Sequence, residues 1–510
     1  MIKRNIFMLI LILVLFAGCK KDAQNIPIVN TGILVKNFNF NNEPFIGSDF
    51  VFYASTGIGY DEYIIQNIDS VIVGTNVSKL KSQFTTLNDK VKVKVNGKLQ
   101  VSGVTENDFT NPVIYSANLE NGEVQTIKVI VNVAKKAVTT DKFIFINQTS
   151  YSESEVQDIA AKFGGQLKKR VAVGLGVIIS VLNASSANVL SKLNSQLALS
   201  LKYDLPISIK LDAEIWWDYR PDLWNWWDQS KSGFNVANKD NVEWTDWTND
   251  SAVKLGWLNW GSQIRMVPSP NLMSQKYKEA WKAAITPCVK AIKTWYDGLP
   301  SDKKFLFGNI VVGWESSIGV SNHFYPNGNS YLNQPVTNDP TTGFNIAILP
   351  SRGLQTLGYA AVKTAGIASS GTLTEAMQTE VVRRHLEDLS KTVNDLGIPR
   401  ENIFTHCGGW VKGETVYTAA INKYSCPGWS YYNYASDPTS DLTAMDALSK
   451  SDAPYWGAVE WLLQGSKTQY EWVTAITNAL AKKSRVVVIY NWNSINTNLN
   501  ALNAIKEINK

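Results

Sequence analysis

Two glutamates stand where an apolar run meets tryptophan. Glu315 ends Ile310-Val311-Val312-Gly313-Trp314-Glu315, and Glu460 lies within Trp456-Gly457-Ala458-Val459-Glu460-Trp461. A carboxylate in such surroundings is costly to bury without a partner or a task. Two of them sharing one cleft push each other's pKa values apart, leaving one protonated as an acid and the other ionised as a nucleophile. Cleavage of a glycosidic bond needs that division, and a separation of about 5 Å gives the double-displacement route. The plain alternative is that one or both are ion-pair partners at strand ends, since the chain has 44 acidic residues. A competing cluster, Lys210-Leu211-Asp212-Ala213-Glu214, would supply the base of an inverting enzyme from Asp212 or Glu214.

Tryptophan supplies the second signal. The first 215 residues contain none, and nine of the 18 fall between Trp216 and Trp260. Sugar rings present apolar faces that stack on indole, while their hydroxyls want Asp, Asn and Arg, so this mixture suits a saccharide cleft. Trp216, Trp217, Arg220 and Trp260 are candidate substrate contacts, as are Trp314 and Trp461 beside the glutamates. Most tryptophans of the segment are expected to pack it rather than to touch substrate. His406-Cys407-Gly408-Gly409-Trp410 adds His406 and Trp410. Neighbours on a strand point to opposite faces, so His406 and Cys407 are not a catalytic dyad. His406 is either a substrate contact or a plain buried histidine.

The elements that must position these residues alternate between strand and helix over 136–510. Strand-like runs are Phe143–Ile146, Val171–Val181, Ile207–Leu211, Phe307–Val312, Asn402–Thr405, Gly428–Tyr431, Trp456–Val459 and Val486–Tyr490. Helical patterns separate them. Leu373–Leu396 places Val382, Leu386, Leu389, Val393 and Leu396 on one face, with Thr372 and Glu375 as a capping box and Gly397 and Pro399 as the stop. Lys276–Tyr296 is another helix, interrupted by Pro287. Eight such units predict an α/β fold, a (β/α)8 TIM barrel with insertions, whose chemistry sits at the C-terminal ends of the strands. A doubly wound open sheet is the rival, without a glycine-rich phosphate loop to support it.

The first 135 residues read differently. Lys3 and Arg4, the apolar run Ile6–Phe16 and then Ala17-Gly18-Cys19 form a signal peptide over 1–18, too short in its apolar part to span a bilayer. The run resembles a bacterial lipobox, which implies cleavage before Cys19, acylation of that cysteine and a lipid-anchored protein at the outer membrane or cell surface, the periplasmic face being the other option. Residues 19–31 are a polar tether. Residues 32–135 carry short alternating strands with Asn96-Gly97 and Asn121-Gly122 as hairpin turns, predicting a small all-β sandwich. The stretch from Phe84 to Val133 resembles the immunoglobulin-like modules behind the anchor in glycan-foraging lipoproteins, and serves here as a spacer.

Composition narrows the rest. Apolar residues make up 45% and charged ones 18%, and the net charge of +5 arises from mixed signs without a basic tract, which argues against a nucleic-acid partner. Past Cys19 three cysteines remain, permitting one disulfide (Cys407 with Cys426 lie near consecutive strands) and a leftover thiol. Three histidines and no metal-ligand spacing point to a chain that works without metal or cofactor.

Glutamates ending strands four and seven of a (β/α)8 barrel resemble the large retaining glycosidase clan that includes many β-galactosidases, β-mannanases and endoglucanases. The resemblance implies Glu315 as acid/base and Glu460 as nucleophile, with Asp212 and Glu214 holding substrate hydroxyls. The clan's tryptophan after strand eight is matched by Trp492, and its tyrosine near the nucleophile by Tyr431 or Tyr432. One departure stands: the clan has Asn before the acid/base, where this chain has Trp314. The expected function is hydrolysis of an extracellular oligo- or polysaccharide, with other glycan-uptake surface proteins as neighbours. The alternative is a non-catalytic glycan-binding lipoprotein on the same barrel.

Overall fold

The computed structural model describes residues 33–40, 50–54, 62–67, 75–120, 122, 124–133, 140–167, 169–318, 322–343, 353–408 and 413–509. The signal run, the tether, Cys19 and Trp410 lie outside these residues. The chain divides into two compact units, Met1–Val138 and Thr139–Lys510.

In the first unit every described element is a strand. Val35–Phe40, Leu80–Thr86 and Glu106–Asn107 make a three-stranded sheet, and six strands between Phe50 and Ile130 make a second. Alternation along Leu80–Thr86 buries Leu80, Ser82 and Phe84 and leaves their neighbours half out. Phe38, Phe40, Phe84, Phe109 and Tyr115 meet edge-on or stacked in one core. The turn joining Lys92–Val95 to Lys98–Leu99 has Asn96 at φ 49° and Gly97 at φ 78°, the double positive φ that a tight hairpin needs.

The second unit is a closed barrel of eight parallel strands: β1 (Lys142–Gln148), β2 (Val171–Ser180), β3 (Ile207–Asp212), β4 (Phe307–Ser316), β5 (Ile403–Cys407), β6 (Gly428–Tyr431), β7 (Trp456–Trp461) and β8 (Ser484–Tyr490). β1 pairs with β8 from Phe143↔Val486 to Asn147↔Tyr490, which closes the ring. All eight strand-like runs read from the sequence are present. Strand alternation sorts their side chains into two cores. Phe143, Phe145, Ala172, Val311, Phe404, Val459, Val486 and Val488 form one cluster, whereas Ile144, Ile146, Val173, Leu175, Ile207 and Ile209 join the larger cluster with the helices.

Among the described residues, seven helices of eight or more residues accompany the strands: α1 (Glu153–Phe163), α2 (Ser186–Tyr203), α3 (Gln275–Gly298), α4 (Glu375–Asp395), α5 (Leu442–Ser449), α6 (Gln469–Ala479) and α7 (Leu499–Ile508). A 3-10 segment, Gly413–Ala420, stands between β5 and β6 instead. α4 starts later than the Thr372–Glu375 box predicts. Thr374 is its N-cap and accepts from the Met377 N–H, because it is the last residue in extended conformation. Pro287 sits inside α3, as read.

The long excursion between β3 and α3 builds its own structure. Gly256–Asn259 and Gln263–Met266 form a hairpin, extended by Asn322–Phe324 and Gln355–Thr356 from beyond β4 into a four-stranded antiparallel sheet. This hairpin carries Trp260 at its turn.

Candidate active site

The end of β4 is deformed in a way that aims its side chains. Val312 pairs with Thr405, yet the next pair is Ser316 with Cys407, so four steps on β4 oppose two on β5. Gly313 takes φ 80° within this bulge, and a Cβ there would lie 2.2 Å from the Ser316 hydroxyl, so glycine is required. Glu315 itself sits at φ 51°, a left-handed conformation that costs a non-glycine residue about 1 kcal/mol or more. The register of β7 also slips around its glutamate: Trp429 opposes Ala458, but Ser430 opposes Glu460. Bulges of this kind re-aim side chains at strand ends.

Both glutamates open into one cleft of about 220 Å³, lined also by Trp260, Trp314, Tyr432, Leu462, Gln464, Tyr490 and Ser494. Both are buried, each 4% exposed. Their hydrogen-bond partners differ in kind. Glu460 Oε2 accepts from the Lys210 ammonium at 2.9 Å, and Oε1 from the Tyr432 hydroxyl at 2.7 Å. Glu315 has no cation in contact among the described residues; Oε2 accepts from the Trp260 indole at 2.9 Å and Oε1 from the Ser430 hydroxyl at 2.7 Å. Burial, and next the charge of Glu460, push the Glu315 carboxyl up to about 7, while Ser430, Lys210 and Trp260 oppose the rise. The site therefore holds one carboxyl that keeps its proton near neutrality and one that faces an ammonium.

Aromatic rings shape the walls. Trp314 and Trp260 lie 5.0 Å apart at 33°, Trp216 meets Trp260 edge-on at 6.1 Å, and Lys210 Nζ stands 5.5 Å from the Trp314 ring centre. Trp216 and Trp314 also line a neighbouring groove of about 500 Å³ with Thr149, Ser180, Asn183, Asn188 and Lys192. Trp314 thus forms part of both walls.

Several candidate contacts go elsewhere. Trp217 is wholly buried with its indole N–H on the Pro268 carbonyl, and Trp461 is wholly buried with its N–H on Ala435. Both are core residues rather than sugar platforms. Trp492 is buried beside Lys162 of α1, whereas Tyr490 and Ser494 around it reach the cleft. Arg220 is tied to Asp222 by two hydrogen bonds and does not line the cleft. Asp212 turns back on its own chain, accepting from the N–H groups of Glu214 and Ile215, with its carboxyl pushed up to about 6 by burial. Glu214 accepts from Ser316 and lies 3.0 Å from His385 Nε2. Neither acid lines the cleft that Glu315 and Glu460 share. Of the two tyrosines, Tyr432 meets Glu460, while Tyr431 is buried against Trp456 in the cluster shared with the helices. His406 is fully buried and reaches Ser430 rather than open space. Cys407 and Cys426 are separate buried thiols, as is Cys288.

Sequence reasoning passed over Lys210 and Ser430. A lysine inside Ile-Ser-Ile-Lys-Leu-Asp reads as the polar half of an alternating strand, and a serine in Gly-Trp-Ser-Tyr has no distinguishing signal. In a closed barrel the second face of a strand is interior, which is what makes a lysine there informative.

The fold is a (β/α)8 barrel, and two glutamates with unlike partners share a cleft lined from β4, β6, β7 and β8. No family model matches the chain, and no curated protein does. Among solved structures it is similar to a β-galactosidase from the psychrophilic Marinomonas ef1, at 10% identity and a TM-score of 0.36 over 69% of this chain, and it spans about half (54%) of that longer chain. It is also similar to the catalytic domain of a β-amylase from Paenibacillus polymyxa (9%, TM-score 0.40, 73% of this chain and 98% of that one). A Bacteroides ovatus GH5 xyloglucanase in complex with a XXXG heptasaccharide aligns at 9% identity with a TM-score of 0.33, over 84% and 95% of the two chains.

Proposed function

We propose that this protein is a retaining glycoside hydrolase acting on an oligo- or polysaccharide, with Glu315 as acid/base and Glu460 as nucleophile. The observation that carries this reading is the unlike pairing of the two carboxyls in one cleft. Glu460 has an ammonium and a phenol hydroxyl directed at it, interactions that suit an anion. Glu315, equally buried, lies beside that negative charge and keeps its proton up to about 7.

In the first step Glu460 attacks the anomeric carbon while the Glu315 proton passes to the departing glycosidic oxygen. A glycosyl ester on Glu460 and a free alcohol result. In the second, the Glu315 carboxylate takes a proton from water as that water attacks the same carbon, and Glu460 leaves as carboxylate. Two displacements restore the starting configuration. Trp260 and Trp314 offer flat apolar faces for the ring, and Gln464, Tyr490 and Ser494 offer partners for its hydroxyls.

Proton NMR in the first minutes of reaction on aryl glycosides and polysaccharides tests the reading. Product of retained anomeric configuration is expected. Inverted product overturns the mechanism, and no turnover across the panel, with sugar binding preserved, indicates a glycan-binding protein instead.

We further propose that Cys19 carries a lipid and holds the protein at a membrane surface, on the strength of its lipobox-like setting. Cys19→Ser is expected to abolish fatty-acid labelling and to move the protein into the soluble fraction. Continued labelling refutes it.

A further inference from the structure

The oxygen of Glu315 that faces Ser430 belongs to a longer chain of contacts. His406 Nε2 lies 2.7 Å from the Ser430 hydroxyl oxygen, and that hydroxyl lies 2.7 Å from Glu315 Oε1. His406 comes from β5, Ser430 from β6 and Glu315 from β4, so three strands meet in one line. The imidazole is fully buried, and its Nδ1 has no hydrogen-bond partner among the described residues.

A serine hydroxyl has a single hydrogen to give. If it pointed at His406, an oxygen lone pair would face the Glu315 carboxylate at 2.7 Å, which an ionised carboxylate does not tolerate. With Glu315 ionised, the hydroxyl therefore donates to Glu315 Oε1 and accepts from His406 Nε2–H. The other tautomer would also bury an N–H at Nδ1 without an acceptor, which costs about 1–3 kcal/mol. The arrangement stays the same when Glu315 gains its proton, provided that proton sits on Oε2. We propose that His406 and Ser430 form a one-way hydrogen-bond chain that confines the mobile proton of Glu315 to Oε2, the oxygen beside Trp260. They are positioning residues: neither needs to touch the sugar. The inference deepens the glycosidase reading and rests on it only for its kinetic consequences.

The surroundings support a neutral, directional imidazole. Burial and the nearby charge of Lys210 hold His406 well below the usual histidine range, so it stays uncharged. The other titratable groups facing this line are Glu460 on β7, Lys210 on β3, Tyr432 just past β6, Tyr490 on β8 and Tyr417, whose hydroxyl reaches the Ser430 carbonyl. Among these, Glu460 raises Glu315 whereas Lys210 and Ser430 lower it, so loss of the Ser430 hydroxyl must move Glu315 upward.

The test is made on the full chain by two routes. Nitrogen-15 spectra of histidine-labelled protein, with His406→Gln to assign the signal, are expected to show a neutral Nε2–H tautomer from pH 5 to 9. Carbon-13 titration of Glu315 is expected to shift up by about one pH unit in Ser430→Ala and to return in Ser430→Thr, which restores the hydroxyl. In turnover, Ser430→Ala should lower kcat by roughly tenfold or more with little change in KM, and its alkaline limb should move with the carbon-13 titration. An Nδ1–H tautomer, a His406 that titrates in this range, or an unmoved Glu315 overturns the proposal. If Ser430→Ala does not fold, His406→Gln, which keeps an N–H, should leave Glu315 within a few tenths of a unit of wild type, and His406→Phe should not. Wild-type protein inactive on every glycoside sinks the glycosidase reading, while both NMR outcomes still decide the chain.

Discussion

Lys210 on the third barrel strand and Glu460 on the seventh meet at 2.9 Å, with both side chains almost wholly buried. They are 250 residues apart in sequence. Each needs the other, because a lone buried charge costs several kcal/mol. Lys210→Met is expected to lower stability by about 3–5 kcal/mol, read by denaturant unfolding, since it strands the carboxylate. Turnover should fall ~10²-fold or more. The double variant Lys210→Met/Glu460→Gln should recover most of the stability and none of the activity. Equal destabilisation by the double variant would argue against a coupled pair.

The pH profile follows from Glu315. Its carboxyl is raised from 4.5 to about 7, and the proposed first step uses the protonated form. The rate should therefore fall as pH rises through about 7. Stability carries the same sign: the contribution of the protonated group is complete below 4.5, declines between the two values and is gone above about 7. Glu460→Gln removes the neighbouring charge, so the Glu315 titration should move down. An upward move would show that the two carboxyls do not interact as placed.

Glu460→Gly should abolish hydrolysis of ordinary substrates. Azide or formate, small enough to occupy the vacated space, should restore part of it with an activated aryl glycoside, giving a product of inverted configuration. Glu315→Gln should spare substrates with good leaving groups in the first step and slow the others by ~10²–10⁴-fold. Rescue of Glu315→Gln alone, without rescue of Glu460→Gly, would reverse the two roles.

Two tryptophans separate packing from function. Trp217→Ala empties a wholly buried site and should cost about 3–5 kcal/mol in unfolding free energy. Trp260→Phe keeps the ring but removes the N–H from Glu315 Oε2. Its stability should change little, while the alkaline limb of the rate profile moves upward, because that hydrogen bond favours the ionised acid. A large Tm loss in Trp260→Phe with an unmoved limb would place it in the core.

The two glutamates were legible because each interrupts an apolar strand beside tryptophan, a pattern that survives without any knowledge of the fold. The eight strands were legible for a related reason: strands buried on both faces read as continuous apolar runs. The α4 boundary was read two residues early, since Thr372 and Thr374 are chemically alike and only the backbone decides which caps. Tyr431 and Tyr432 were an even choice for the same reason, a strand's alternation being known only once its register is.

The sequence by itself determined the architecture and the two carboxyls, because hydrophobic periodicity and the cost of burying a charge are local properties of a chain. The tertiary structure decided which partners those carboxyls have. It set Lys210 and Tyr432 on Glu460, Ser430 and Trp260 on Glu315, and Trp217, Trp461 and Trp492 in the packing. The reason is physical: closing a barrel brings together side chains from strands far apart in sequence, and small bulges at Gly313 and Glu460 choose which of them face the cleft.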